Sequence, residues 1–242
     1  MAPVLELQQI SKRFGAVVVA EDINLSIAEG EALGIIGPNG AGKTTLFAIA
    51  TGVVAPERGR VVLQGADIAG LTPEQRCRRG IARSFQVPQP FKGMTVFENM
   101  LVAAAFAGGH RERDVYSRCV ELLDQCRLAD KANRPAGALP LLDRKRLELA
   151  RALATDPRVL LLDEVAGGLT EPECLALVAL IKQIRADGVA IIWIEHIVHA
   201  LIEVVDRLAV LHQGRFIIEG DPQDVILNPA VREIYMGIPA DA

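Results

Sequence analysis

Over the first 65 residues, apolar and polar positions alternate in short runs separated by glycine-containing turns: VLELQQI, VVVAEDINLSI, EALGIIG and GRVVLQG. A period of two residues marks strands. The period changes at Lys43, where KTTLFAIAT brings Leu46, Ile49 and Ala50 to one helical face and stops at Gly52. A short helix is expected next in LTPEQRCRRG, with Thr72 as N-cap, Pro73 in the first helical position, Gln75 completing a capping box and Gly80 closing it. Residues 81–86 then read as another strand.

Residues 87–136 have a different texture. Two helical patterns, at 96–107 and 112–126, are joined by Gly108-Gly109 and bracketed by Pro88, Pro90 and Pro135, which predicts a helical subdomain inserted into an α/β core. The alternation of helix and strand resumes after it. Helices are expected at 144–155 and 171–187 and after His196, and strands at 158–163 and 189–194. The stretch RLAVLHQGRFIIEGDPQDVI predicts a hairpin about Gln213-Gly214, followed by a helix capped by Asp221.

The composition narrows the class without naming it. A chain of 242 residues, 50% hydrophobic and 23% charged, is long enough to bury a sizeable core, which excludes disorder and a disulfide-stapled miniprotein. Its 26 Lys and Arg against 30 Asp and Glu provide no broad basic surface, so no nucleic-acid partner is expected. Cys77, Cys119, Cys126 and Cys174 never fall at C-x-x-C spacing, which suits a reducing compartment and gives no zinc site. No stretch approaches the roughly 20 apolar residues that span a bilayer. The N-terminal MAPVLELQQISKRFG does not read as a secretion signal.

The strongest chemical signal is Gly37-Pro38-Asn39-Gly40-Ala41-Gly42-Lys43-Thr44, which fits G-x-x-x-x-G-K-[ST] between an apolar strand at 32–36 and the helix from Lys43. Its glycines let backbone N–H groups curl around a β-phosphate, Lys43 can reach the β and γ oxygens, and Thr44 can hold magnesium. A second signal is the apolar strand that ends in Asp163 and Glu164. There Asp163 would hold magnesium, and Glu164 would face the γ-phosphate and polarise the attacking water. His196 follows the next strand at the same sheet edge, where it can contact the γ-phosphate or simply cap the following helix. Gln86 can ligate magnesium and donate to water, or be ordinary surface. The fold class expected is α/β, a phosphate-loop ATPase core with an N-terminal β-rich part and an inserted helical subdomain. It forms one domain over 1–242, with the core at 1–86 and 137–242 and the helical subdomain at about 87–136.

Taken in order, KRFG with Phe14, GPNGAGKTT ending at Thr45, SFQ ending at Gln86, KRLELARAL, LLLLDE, GGLT and IEH at Glu195-His196 resemble the nucleotide-binding subunit of ATP-binding cassette transporters. The terminal NPAVREIYMG is similar to the tail of the branched-chain amino acid uptake type. The resemblance implies that ATP and Mg2+ are bound and ATP hydrolysed to power uptake. It implies that the residue at Phe14 stacks on adenine, that Gln86 links magnesium to the membrane partner, and that His196 contacts the γ-phosphate of its own subunit. Read from the residues alone, an ordinary strand aromatic is the alternative for Phe14.

One segment departs from the family. Where a signature like LSGGQ or LSYGQ is expected, the chain reads Leu139-Pro140-Leu141-Leu142-Asp143. Pro140 removes a hydroxyl and an N–H, Leu142 replaces a glycine that allows close approach, and Asp143 brings negative charge toward an anion. Asp143 is expected to N-cap a helix starting at Arg144. Val165 stands in place of a proline, and Thr170 in place of an acid or amide, although Thr170 and Glu173 also form a capping box.

In the family each ATP lies between the phosphate loop of one cassette and the signature of another. An intact loop beside a degenerate signature therefore implies pairing with a second, different cassette subunit. The other partners implied are integral membrane permease subunits, docked through residues 87–136, and, indirectly, a solute-binding protein outside the membrane. The location implied is peripheral, on the cytoplasmic face. The contrasting expectation is a nucleotide-regulated binding or scaffold protein with reduced hydrolysis; a soluble nucleic-acid ATPase would need a second cassette or a coiled-coil insertion.

Overall fold

Strands β1 (Pro3–Phe14) and β2 (Val17–Ala28) bury alternate residues, Leu5 and Leu7 on one and Ile23, Leu25 and Ile27 on the other, and pair antiparallel. They are half-buried, as their alternation demands. Strands β3 (Ala32–Ile36), β7 (Val159–Asp163) and β8 (Ala190–Ile194) are buried at every position, the mark of parallel strands covered on both faces. The computed structural model describes residues 2–108 and 111–236, so part of the expected Gly108-Gly109 junction lies outside the described residues.

Two sheets result. The first has the order β2-β1-β4-β5, with β4 (Arg58–Leu63) and β5 (Ala66–Asp67). The second has the order β10-β9-β3-β8-β7-β6, with β6 (Ile81–Arg83), β9 (Arg207–His212) and β10 (Arg215–Gly220). Within it β9, β3, β8, β7 and β6 run parallel, and β10 closes the edge as the antiparallel hairpin expected about Gln213-Gly214. Register aligns the strand ends: Asp163 lies opposite Ile194, and Ile194 opposite Ile35. Residues following β3, β7 and β8 therefore emerge at one edge, where open α/β sheets gather ligands.

Helix α1 (Lys43–Ala50) packs Leu46, Phe47 and Ile49 into the core shared with the first sheet. The opposite face of the second sheet carries α5 (Leu141–Leu153) and α6 (Glu171–Ala186), which bury Leu147, Leu149, Leu177, Ile181 and Ile184 against Trp193 and its neighbours. Each such side chain contributes about 1.5–3 kcal/mol when fully buried. The short helix α2 (Pro73–Arg78) has the expected capping box of Thr72 and Gln75. Thr170 with Glu173 caps α6 in the same way, and Asp221 caps α8 (Pro222–Leu227) by accepting from Gln223 and Asp224 N–H groups. Helix α7 spans Val198–Ile202, and α9 spans Pro229–Met236.

The inserted region holds α3 (Val96–Gly108) and α4 (Glu112–Gln125), followed by two 3-10 turns, Ala129–Lys131 and Ala136–Ala138. Thr95 and Glu98 bond reciprocally at the start of α3, a further capping box beside those expected.

Most boundaries fall within one or two residues of expectation, and two differ by three. Strand β6 ends at Arg83 instead of running to Gln86: Ser84 N–H makes the last bond, to Leu161, and beyond it Phe85 turns outward and prolines remove donors. Helix α5 begins at Leu141, three residues before Arg144, because Arg144 N–H already donates to Pro140 O. Asp143 is therefore not the N-cap. It sits inside the first turn and pairs with Lys131 at 2.7 Å and Arg146 at 3.2 Å. Two cations hold the nearly buried carboxylate better than a cap on exposed backbone N–H groups would.

Candidate nucleotide site

The phosphate loop is shaped by contacts that exclude side chains. A Cβ on Gly37 would lie 2.1 Å from the carbonyl oxygen of Leu211, and one on Gly42, at φ +107°, 2.0 Å from that of Val19. Strands β9 and β2 thus press on the loop from two sides, and only glycine fits. Gly42 in its left-handed conformation turns the chain into α1 with no side-chain cap, so the helix start stays available to an anion. Pro38, Asn39 and Gly40 lie on the rim, Ala41 is buried beneath it, and Thr44 and Thr45 stand in the first turn of α1, Thr44 exposed.

Lys43 is 6% exposed, and its ammonium donates to Gly37 O at 2.6 Å and Pro38 O at 3.1 Å, so the loop curls around it. Burial holds its pKa below the ordinary lysine value, an effect partly countered by the charges of Glu164 and Asp163. The positive charge sits where triphosphate oxygens would draw it out.

Glu164 is the meeting point. Its backbone has φ +48°, a conformation non-glycine residues rarely adopt, and its N–H donates to Ile194 O at 2.8 Å. Its carboxylate accepts from Gln86 Nε2 at 2.5 Å and lies 2.7 Å from His196 Nε2. His196 is not the cap of α7; that position belongs to Ile197. The exposed Gln86 is not idle surface either, since its amide reaches across from the end of β6 to Glu164. The structure therefore brings Lys43, Gln86, Asp163, Glu164 and His196 together, while residues 139–143 have no hydrogen bond or ion pair to them among the described residues.

Phe14 ends β1, half-exposed, with the Lys12 ammonium 5.3 Å from its ring centre. It pairs with Val17 at the turn of the hairpin whose Val19 carbonyl presses on the loop at Gly42, so it belongs to the element that borders the phosphate loop.

Two side chains escaped the sequence reading. Arg83 donates to Asp163 at 2.6 Å from the neighbouring strand. Glu195, 1% exposed, accepts from Ala166 N–H at 2.9 Å and His196 N–H at 3.0 Å, tying the loops after β7 and β8 together. A charge within an otherwise apolar strand segment was the available signal for Arg83. For Glu195 it was an acid directly following five apolar residues.

Magnesium fits the donor set. Thr44, Asp163 and Gln86 offer a hydroxyl, a carboxylate and an amide oxygen, hard donors that suit it. Among the described residues no group of three or more His, Cys, Asp or Glu could hold a metal. Few protein ligands, completed by substrate phosphates and water, is the usual arrangement for this ion.

A cavity of about 280 Å³ opens nearby, lined by Val53, Cys77, Phe85, Ala103, Glu148 and Arg151 among others. It lies between α2, β6, α3 and α5, and only Ala103 of these six comes from the inserted helices. Burial raises the Glu148 carboxyl above the ordinary range, countered in part by Arg151 at 3.2 Å. Among the described residues no helix is long and apolar enough to cross a membrane.

Comparison with known proteins gives the same picture. The ABC transporter family pattern matches residues 20–167. A high-affinity branched-chain amino acid transport ATP-binding protein, BraF of Pseudomonas aeruginosa, is 36% identical, with 97% of this chain and 98% of the relative covered. The lipopolysaccharide export system ATP-binding protein LptB of Acidithiobacillus ferridurans is 35% identical, with 98% of each covered. A solved ATP-binding cassette of an ABC transporter in its ADP conformation superposes with a TM-score of 0.90 at 30% identity, covering 98% of this chain and all of that one.

Proposed function

We propose a role for this chain inside the family to which it belongs, that of the ABC transporters. It binds and hydrolyses ATP with magnesium and acts with a membrane partner. Within that activity we assign it to an importer of branched-chain amino acids or related small solutes, as a peripheral subunit on the cytoplasmic face. The similarity to BraF favours this cargo over lipopolysaccharide, since the tail NPAVREIYMG has the look of the uptake type.

The observation that carries the reading is the convergence of Gln86 and His196 on the strained Glu164, next to Lys43 and Asp163. Glu164 orients and deprotonates a water for in-line attack on the γ-phosphate. Lys43 spreads its charge over the β and γ oxygens, and His196 fixes the γ-phosphate. Gly37, Pro38, Asn39, Gly40, Ala41, Gly42, Thr44 and Thr45 cradle the phosphates, and Phe14 supports the adenine. Magnesium, when bound by Thr44, Asp163 and Gln86, neutralises phosphate charge.

The chain works as one domain, its core at 1–86 and 137–242 and its helical part at about 87–136. It pairs with a second, different cassette. At its own signature position α5 begins with Pro140 at the N-cap and no capping side chain, and Leu141 lies near Gly168. Proline and leucines give a γ-phosphate few donors, whereas the loop half is complete. Asp143 is no longer an objection to anion binding, because Lys131 and Arg146 neutralise it. The groove beside Phe85 takes a cytoplasmic segment of the permease, and a solute-binding protein delivers cargo to that permease.

Co-expression with a permease and a second cassette, followed by magnesium-dependent ATPase assays, tests the assignment. The chain alone should turn over poorly and the mixed complex well. Pro140→Ser with Leu141→Gly and Leu142→Gly should raise the rate of the chain alone. Transporter-like hydrolysis by the unaltered chain in a symmetric ATP-bound dimer would refute the pairing.

A further inference from the structure

Arg83 ends β6 and touches three parts of the molecule at once. Its Nη2 donates to Asp163 Oδ2 at 2.6 Å, with both side chains nearly closed to solvent. Its guanidinium lies 5.7 Å from the ring centre of Phe47, in the helix that follows the phosphate loop, and 5.2 Å from that of Phe85. Arg83 and Phe85 both line the groove between α2, β6, α3 and α5. One side chain thus joins the carboxylate read as a magnesium holder, the phosphate-loop helix and the wall of the groove.

The contact is not the arrangement that best satisfies either partner. Arginine and carboxylate gain most from two parallel bonds, yet among the described residues one nitrogen of Arg83 is engaged. Among the same residues Arg83 Nε is buried without a hydrogen-bond partner, and so is Ser84 Oγ on the next residue. Unpartnered buried donors are costly and call for an explanation. A guanidinium that must also occupy a second position supplies one, and its contacts with two rings, unlike hydrogen bonds, do not fix its orientation.

We propose that Arg83 is a positioning residue that occupies Asp163 before magnesium arrives and competes with the cation for that carboxylate, kept within reach of it by the rings of Phe47 and Phe85. Two cations at one nearly buried carboxylate each reduce what the other gains. The inference rests on the reading of Asp163 as a magnesium holder given above.

The test uses the full chain, ADP and magnesium chloride, and reads the magnesium concentration that gives half-maximal ADP binding. Arg83→Met keeps an unbranched stem beside the two rings and removes the charge; it should lower that concentration about tenfold. Its melting temperature in EDTA should fall, because Asp163 is left without a partner. Arg83→Lys, which keeps a charge, should stay near the parent value. Phe85→Ala should shift the requirement in the same direction as Arg83→Met by a smaller factor. If Arg83→Met does not fold, Arg83→Gln gives the same reading. An unchanged or higher magnesium requirement in the neutral variants overturns the competition, and a parent-like Phe85→Ala overturns the part given to its ring in placing Arg83. Asp163→Asn separates this from the functional reading: if it keeps the parent's magnesium dependence, Asp163 holds no magnesium, whatever Arg83 does.

Discussion

Asp163 and Asp143 are both nearly buried aspartates beside arginines, one at the end of β7 and the other in the first turn of α5. Asp163 has one ion pair among the described residues, to Arg83, lies at the edge where strand ends gather, and feels the charge of Lys43 in the phosphate loop. Asp143 is gripped by Lys131 and Arg146 and nearly buried, directly after a proline and two leucines in the chain. A carboxylate left partly unsatisfied by its own chain is held ready for a ligand, and one closed from two sides holds a fold together. Burial and charge alone do not tell the two apart; the number and direction of partners does.

The largest effects should come from the first region. Glu164→Gln should leave ATP binding in place and lower turnover of the mixed complex by about 10²–10⁴-fold, the usual worth of a general base. Single-turnover assays beside a nucleotide-binding measurement check it, and retention of most activity would sink the assignment. Lys43→Ala should weaken ATP binding as well, by about tenfold to a hundredfold, since a charge-assisted contact to phosphate is worth about 1.5–3 kcal/mol.

The second region should answer with stability instead of chemistry. Asp143→Asn leaves Lys131 and Arg146 facing each other and should cost about 2–4 kcal/mol in denaturant unfolding, with nucleotide affinity unchanged. A loss of ADP binding by a folded Asp143→Asn chain would erase the contrast drawn above.

The smallest effect concerns Glu148, whose carboxyl is raised by burial. The folded chain then holds this proton more tightly than the unfolded chain does. Stability contributed by the group is present below the unfolded pKa and lost as pH rises through the folded one. Glu148→Gln should flatten the fall in melting temperature between the ordinary glutamate range and neutral pH. A slope equal to the parent's would remove Glu148 from that account.

Much of the site was legible because its chemistry is local. Residues 37–45 carry their glycines, lysine and threonines in consecutive positions, and the apolar run before Asp163 announces a buried strand that ends in two acids. The caps at Thr72, Thr170 and Asp221 were legible for the same reason: donor and acceptor lie within one helical turn. Asp143 fits the same local rule but is no cap, because Lys131, twelve positions upstream in a 3-10 turn, and Arg146 pair with it inside the first turn of α5. The end of β6 was missed too, since Phe85 reads as a strand residue until the groove beside it is known.

The sequence by itself determined the elements, the phosphate loop and the residue types available for catalysis, because periodicity and spacing belong to covalent neighbours. Tertiary structure decided which charges meet. Arg83 reaches Asp163 across 80 positions, and Gln86 reaches Glu164 across 78. Glu195 reaches Ala166 across 29. Those pairings follow from β7 lying between β6 and β8, an order set by how the sheet buries its faces and not by the order of the chain.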